Sequence, residues 1–280
     1  MRLLITDGVH EDGRWVEVTG LGVGVDATGV LSTEAIARTI GAFDRFRGIM
    51  NGLGVERRMA IATSASRDAA NREELFDRAE HALGVRPSLI SGDKEARYAF
   101  AGATQGFKDV SDITVTDIGG GSTEFVTNDS SQSVDIGSVR LTERLLPDRP
   151  PDIGQLATAI DSVGDLLGEV DRRELKTHIG VAGTWTSIAA IAQELPSYDR
   201  ERVHRFVLTN DDLNRVGEKL KQLTIEETAT IPSLDPNRAP VILAGTVIAT
   251  KIVEALGVDE TTISEDDSLD GVAMELLALT

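Results

Sequence analysis

The stretch Ile113–Phe125, ITVTDIGGGSTEF, constrains this chain more than any other. An alternating apolar run ends on Asp117, three glycines and Ser122 follow, and a second short run carries Glu124 and Phe125. The pattern predicts strand, tight glycine loop, strand. Lacking a Cβ, Gly119, Gly120 and Gly121 can take positive φ and let a ligand approach the backbone closely. Successive N–H groups in such a turn form a nest for anionic oxygens. Asp117 and Glu124 flank the nest, and two carboxylates beside a phosphate suit a bridging Mg²⁺. A hairpin turn with surplus glycine and incidental acids would carry the same letters, so the loop alone leaves both readings open.

Composition narrows the classes. A chain of 280 residues is long enough for one large domain or two lobes. A net charge of -18 argues against nucleic-acid binding, and any phosphate site must be made locally positive by arginine, backbone N–H groups or metal. With no cysteine there is no disulfide framework, no zinc-thiolate site and no thiol nucleophile. No apolar run approaches the ~20 residues that span a bilayer. The start, MRLLITDGVH, does not read as a signal peptide. The expectation is therefore a cytoplasmic protein without a membrane or nucleic-acid partner. Self-association as a homodimer is left open.

Along the chain, Arg2–Thr6 reads as a strand and Arg14–Thr19 as its hairpin partner, joined by the turn-rich Asp7–Gly13. Gly20–Gly29 reads as a glycine-laden loop. A helix is expected from Ser32 or Thr33 to about Leu53, with Ile36, Ile40, Phe43 and Met50 on its core face. Arg58–Thr63 predicts a strand, and Asn71 a cap for the following helix, with Glu74 at its third position. Arg67 falls just past a strand end, where α/β proteins place ligand residues, although a surface arginine would look the same. Pro87–Ile90 is expected as a strand and Lys94–Ala103 as a helix. Glu95 in its first turn suits the helix dipole and could equally serve as a general base beside a phosphate loop.

After the central stretch, Ser133–Ile136 predicts a strand running into Gly137-Ser138 at the start of a helix over Val139–Leu146, a second potential anion site. A helix is expected over Gln155–Val170. A third strand–glycine–helix junction follows, with the strand Ile179–Ala182 and Gly183-Thr184. Tyr198–Leu208 reads as irregular, with His204 a structural hydrogen bonder. Further helices are expected at Asp212–Leu223, Val241–Leu256 and Leu269–Leu279, with a strand at Thr261–Ser264. Two successive series of strands and helices, about 1–110 and 111–265, suggest two α/β lobes with a cleft between them.

Six segments then carry a resemblance: Ala62–Ala69 (ATSASRDA), Ser91–Arg97 (SGDKEAR), Asp117–Phe125 (DIGGGSTEF), Asp135–Arg144 (DIGSVRLTER), Val181–Thr186 (VAGTWT) and Tyr198–Leu208 (YDRERVHRFVL). In order and spacing they resemble the exopolyphosphatase/guanosine pentaphosphate phosphohydrolase (Ppx/GppA) family, in its short two-lobed form. The resemblance implies an α/β fold of two ribonuclease-H-like lobes of the actin/Hsp70/sugar-kinase superfamily. The first lobe would be residues 1–110 with 266–280, and the second 111–265. It implies a phosphoanhydride hydrolase acting on inorganic polyphosphate or guanosine pentaphosphate, with Mg²⁺ or Mn²⁺ as cofactor. By position, Glu95 resembles the catalytic base, and Asp117 and Glu124 the metal-binding carboxylates. Gly119, Gly120, Gly121 and Ser122 resemble a phosphate loop, Gly137 and Ser138 a supporting loop, and Arg67 a phosphate-contacting arginine.

The chain also departs from the pattern. Relatives open with a strand and a loop of the type Asp-x-Gly-Ser/Thr-Asn-Ser ahead of a run like Arg2–Ile5, and here that run comes first. The expectation is a first lobe lacking its first strand and first phosphate loop, and the alternative activity is a catalytically impaired phosphate-binding or regulatory protein. An arginine that relatives often carry before Leu21-Gly22 is replaced by Gly20. Ser264–Gly271 (SEDDSLDG) likewise lacks the arginine of many relatives' Gly-Leu-Arg-Glu/Asp-Gly.

Overall fold

The computed structural model describes residues 1–168 and 177–279. The first part of the chain holds β1 (Arg2–Thr6), β2 (Glu11–Val16), α1 (Val25–Thr28), α2 (Thr33–Gly52), β3 (Ile61–Ala62), α3 (Ser64–Asp68), α4 (Arg72–Leu83), β4 (Ser88–Leu89) and α5 (Gly92–Ala103). The central part holds β5 (Ile113–Ile118), β6 (Thr123–Val126), β7 (Ser131–Val134), α6 (Ser138–Leu145), α7 (Ile153–Leu167), β8 (Thr177–Val181) and α8 (Ala182–Ala192). The last part holds α9 (Arg200–Val203), β9 (Val207–Thr209), α10 (Asn210–Leu220), α11 (Ile225–Ala229), α12 (Ile242–Leu256), β10 (Glu260–Ser264) and α13 (Ser268–Ala278). The end of the helix expected over Gln155–Val170 falls partly outside the described residues.

Six strands form one continuous sheet in the order β7-β6-β5-β8-β10-β9. β5, β8 and β10 run parallel at its centre, while β6, β7 and β9 are antiparallel to their neighbours. β5 is buried at every position, as a central strand covered on both faces must be. One face packs on α8 and α12, whose Trp185, Ile188, Ile248 and Ile252 join Val163, Leu208 and Leu213 in a single large core. The other face is covered by α5 through Ala96, Ala99 and Ala103 against Ile113, Val115 and Ile179. The opposite side of α5 meets Val272 of α13 through Tyr98. Helix α5 is thus a wall shared by the two halves of the molecule.

The first part is built differently. β1 and β2 form an isolated antiparallel hairpin, and β3 and β4 a separate parallel pair. Glu17 donates its N–H to the carbonyl of Met1 at 2.8 Å, so by alternation Leu3 and Ile5 pair with β2 while Arg2 and Leu4 turn their backbone groups outward. On β3, the carbonyls of Ala60 and Ala62 accept from Ser88 and Ile90 at 2.9 and 3.0 Å, so Ile61 turns its backbone groups away from β4. A cavity of about 340 Å³ lined by Leu3, Phe46, Met50, Ile61, Phe76 and Leu83 lies between the two pairs. The strand expected at Arg58–Thr63 shortens to two residues because, among the described residues, β4 is the one strand it pairs with.

Several local expectations change, among them Tyr198–Leu208, expected irregular, which holds α9 and most of β9. Val25–Thr28 inside the expected glycine loop is a one-turn helix between Gly24 and Gly29, both left-handed. β2 begins at Glu11 rather than Arg14, so the hairpin turn is shorter than expected. Asn71 precedes α4 but does not cap it with its side chain. Its amide instead accepts from the Leu31 N–H at 2.8 Å and donates to the Leu31 carbonyl at 3.0 Å, pinning the entry to α2.

Candidate active site

The glycine loop sits at the end of β5, with Asp117 and Glu124 directly opposite one another on β5 and β6. Both carboxylates are almost wholly buried. Burial first, and then the neighbouring Glu124, push the Asp117 carboxyl above its ordinary range. Burial followed by the Glu95 carboxylate pushes Glu124 up to about 7, against hydrogen bonds from Ser122 and Ser133 that favour the charged form. Those hydroxyls donate to Glu124 Oε1 at 2.7 and 2.9 Å and fix its orientation.

The glycines are needed for a reason other than the one expected. None of Gly119, Gly120 and Gly121 has a positive φ. They are small because the loop is crowded: a Cβ on Gly121 would stand 2.5 Å from Ser64 Oγ, and one on Gly120 3.3 Å from Val139. Gly119 donates its N–H to the Ser122 carbonyl at 2.9 Å, which closes the turn. Among the hydrogen bonds of the described residues, none uses the N–H of Gly120, Gly121 or Ser122.

The Gly137-Ser138 junction does not present an open anion site. The N–H groups of Ser138, Val139 and Arg140 donate to the carbonyls of Gly119 and Gly120 at 2.9–3.1 Å. A Cβ on Gly137 would lie 2.3 Å from the Gly120 carbonyl oxygen. The start of α6 therefore braces the glycine loop from behind, its first donors already satisfied.

Glu95 approaches from the other side. Ser91 caps α5, accepting from the Lys94 N–H at 3.2 Å, and sets Glu95 in the first turn. Arg67, at the end of α3, donates to Glu95 Oε2 at 2.9 Å and to the Ile90 carbonyl at 3.1 Å. Arg67 thus holds the carboxylate it was expected to accompany. Glu95, Gly119, Gly120, Gly121 and Ser122 together line a cavity of about 210 Å³. The structure therefore brings Glu95, Arg67, Asp117, Glu124 and the glycine loop to one place, with Gly137 and Ser138 as its backing.

Sequence reasoning missed several neighbours. A further cavity of about 350 Å³ is lined by Arg2, Ala182, Gly183, Tyr198, Arg238 and Asp267, among others. Arg2 pairs with the buried Asp267, 265 residues away in sequence. The Arg238 guanidinium lies against Gly183 at the start of α8, where a Cβ would come within 1.9 Å of it. Ala182 beside it holds φ 65, a left-handed conformation that costs an ordinary residue about 1 kcal/mol or more. Nothing local in sequence announces these contacts, apart from the strand–glycine–helix junction at Val181–Thr184. His204 accepts from the Glu265 N–H at 3.2 Å, the structural role expected of it.

The family model for the Ppx/GppA phosphatase family matches residues 9–279. The chain belongs to the Ppx/GppA phosphatase family. Exopolyphosphatase 2 of Mycobacterium tuberculosis is 36% identical over 99% of this chain and 95% of the relative. A solved exopolyphosphatase-like protein superposes with a TM-score of 0.95 at 34% identity, over 99% of this chain and 95% of that one. The Aquifex aeolicus member of the Ppx/GppA family gives 0.81 at 30% identity, over 100% and 94%. The fold is accordingly the α/β fold of two ribonuclease-H-like lobes read from the sequence, and a Ppx/GppA chain of this kind is a phosphatase. Among the described residues no helix is long and apolar enough to cross a membrane.

Proposed function

We propose that this chain hydrolyses the terminal phosphoanhydride bond of inorganic polyphosphate and releases orthophosphate. The observation that carries the reading is the cavity where Glu95 faces the Gly119–Ser122 loop. The exopolyphosphatase names of its relatives support the substrate class.

The unpaired N–H groups of Gly120, Gly121 and Ser122 suit the oxygens of the terminal phosphate. Glu95, held by Arg67, is the group placed to take a proton from an attacking water. Phosphoryl transfer asks little covalent chemistry of the protein, so positioning and charge neutralisation dominate. Asp117 and Glu124 fit a hard divalent cation: two buried carboxylates face each other and resist ionising together. No group of three or more acidic, His or Cys side chains arranged to hold a metal ion is found among the described residues. That donor set suits Mg²⁺ or Mn²⁺, which complete their shell with water and substrate phosphate. When bound, the ion would neutralise charge on the phosphate oxygens.

The decisive experiment is orthophosphate release by the purified protein from polyphosphate, with guanosine pentaphosphate assayed beside it. Glu95→Gln is expected to keep polyphosphate binding while lowering turnover at least ~100-fold. Wild-type turnover in that variant removes Glu95 from the chemistry. Exclusive hydrolysis of guanosine pentaphosphate replaces the substrate. Binding without turnover in the wild-type protein leaves the phosphate-binding reading in its place.

A further inference from the structure

We propose that Arg140 is a positioning residue that ties closure of the cleft to the shape of the glycine loop. The proposal rests on the reading that this cavity holds the reacting phosphate. Arg140 lies in the first turn of α6, and its guanidinium makes three contacts in three directions. Nε donates to the Gly121 carbonyl at 2.8 Å, NH1 to Asp26 Oδ1 at 2.8 Å, and NH2 to Asp68 Oδ2 at 2.6 Å. Gly121 belongs to the loop after β5. Asp26 belongs to α1 and Asp68 to α3, in the first part of the chain. One side chain thus spans the cleft and holds the loop at once.

Its neighbours reinforce the crossing. Arg144, one turn further on, pairs with the same Asp26, and Glu143 Oε1 accepts the Gly24 N–H at 2.7 Å. Arg140 and Asp26 are only 13% and 16% exposed, so that ion pair is shielded from salt better than a surface pair.

The link to the loop follows from peptide geometry. The Gly121 carbonyl and the Ser122 N–H share one planar unit and point in opposite directions. A donor that fixes the carbonyl therefore fixes the direction of the Ser122 N–H. Because two aspartates satisfy the charge of Arg140, its task in this arrangement is to orient the loop rather than to grip phosphate. When the lobes separate, Arg140 loses both aspartates, and the loop loses the fixed guanidinium that held its carbonyl.

The absence of cysteine allows a clean test. Spin labels on Glu34→Cys and Asp165→Cys, two exposed positions on α2 and α7, report the separation of the two parts. The wild-type distance distribution is expected to be narrow, and Arg140→Ala is expected to broaden it, with or without inorganic tripolyphosphate as probe. In steady-state assays Arg140→Ala is expected to raise KM and lower kcat, reducing kcat/KM about 10–100-fold. The pair Asp26→Asn with Asp68→Asn removes the two anchors of the guanidinium, so it is expected to broaden the distances, raise KM and lower kcat in the same direction as Arg140→Ala. Unchanged distances and kinetic constants in folded Arg140→Ala overturn the proposal, as does an unchanged kcat in an aspartate pair whose distances have broadened. A wild-type protein that hydrolyses no polyphosphate overturns the functional reading, whereas the distance measurement still decides the clasp.

Discussion

The two halves of this molecule solve the same folding problem unequally. The second half builds one six-stranded sheet with a single large core beneath it. The first half has two separate pairs of strands, and its apolar residues divide into three smaller clusters around Ile36, Ile5 and Tyr98. A sheet gains stability when each strand has two neighbours, and two-stranded pieces are marginal unless helices cover them. The difference implies that the second half supplies the rigid frame on which the glycine loop and its carboxylates are mounted. The first half brings Glu95 and Arg67 to that frame, with α5 and the Arg140 clasp fixing the approach.

The strongest test of that asymmetry is in the cores. Trp185 is fully buried, edge-on to His178 at 5.5 Å between ring centres. Trp185→Ala is expected to cost about 3–5 kcal/mol in denaturant titrations. Leu3→Ala on β1, a half-buried position, is expected to cost about 1 kcal/mol. Equal losses would show that the first half is as tightly consolidated as the second.

A second test concerns the price of the frame's buried acids. The folded protein keeps the Glu124 proton up to about pH 7, while the ordinary glutamate value is 4.5. Because the folded state binds more protons in that window, this group's contribution to stability is full below about pH 4.5 and is lost as pH rises through 7. In chelator, Glu124→Gln should gain on the wild type by on the order of 2 kcal/mol between those limits, read from melting curves. Parallel pH profiles for the two proteins would contradict it, and added Mg²⁺ should stabilise the wild type more than the variant.

A third, smaller effect is expected from mending the first half. A strand seated between β1 and β3, antiparallel to the one and parallel to the other, would meet the outward backbone groups of Arg2, Leu4 and Ile61. It would end beside Met1, at the Glu95 end of the cavity. Joining such a strand and a short loop, taken from a relative, ahead of Met1 should raise the melting temperature by a few °C. Each backbone hydrogen bond gained is worth about 0.5–1.5 kcal/mol before the cost of ordering the strand. Its loop should also tighten polyphosphate binding opposite Gly119–Ser122. Equal melting temperature, solubility and hydrolysis would mean that the first half closes without it.

Legibility in sequence followed the range of the signal rather than that divide. β5, β6 and the glycine loop were readable because their apolar alternation and glycines are local signals, and β1 matched its expected bounds. β3 was overestimated because the pattern of Arg58–Thr63 reports a strand's propensity but not its number of partners. Asn71 was misread for a similar reason: its amide satisfies a remote loop instead of the adjacent helix. Of the site, local pattern made Glu95, Arg67, Asp117 and Glu124 candidates and the resemblance gave them roles, while the parts played by Arg140, Arg238 and Asp267 came into view only in three dimensions.

From its sequence alone this chain was bound to be an α/β protein with a glycine loop between two carboxylates, because strand period, helix caps and glycine spacing act over a few residues. Tertiary structure decided what those parts do for each other. It turned the Gly137-Ser138 junction from an anion site into the brace of the loop, since its amides meet carbonyls before any ligand can. It paired Arg67 with Glu95 and set Arg140 between Gly121, Asp26 and Asp68. A guanidinium carries several donors on a long side chain, and only the folded chain determines which distant acceptors they meet.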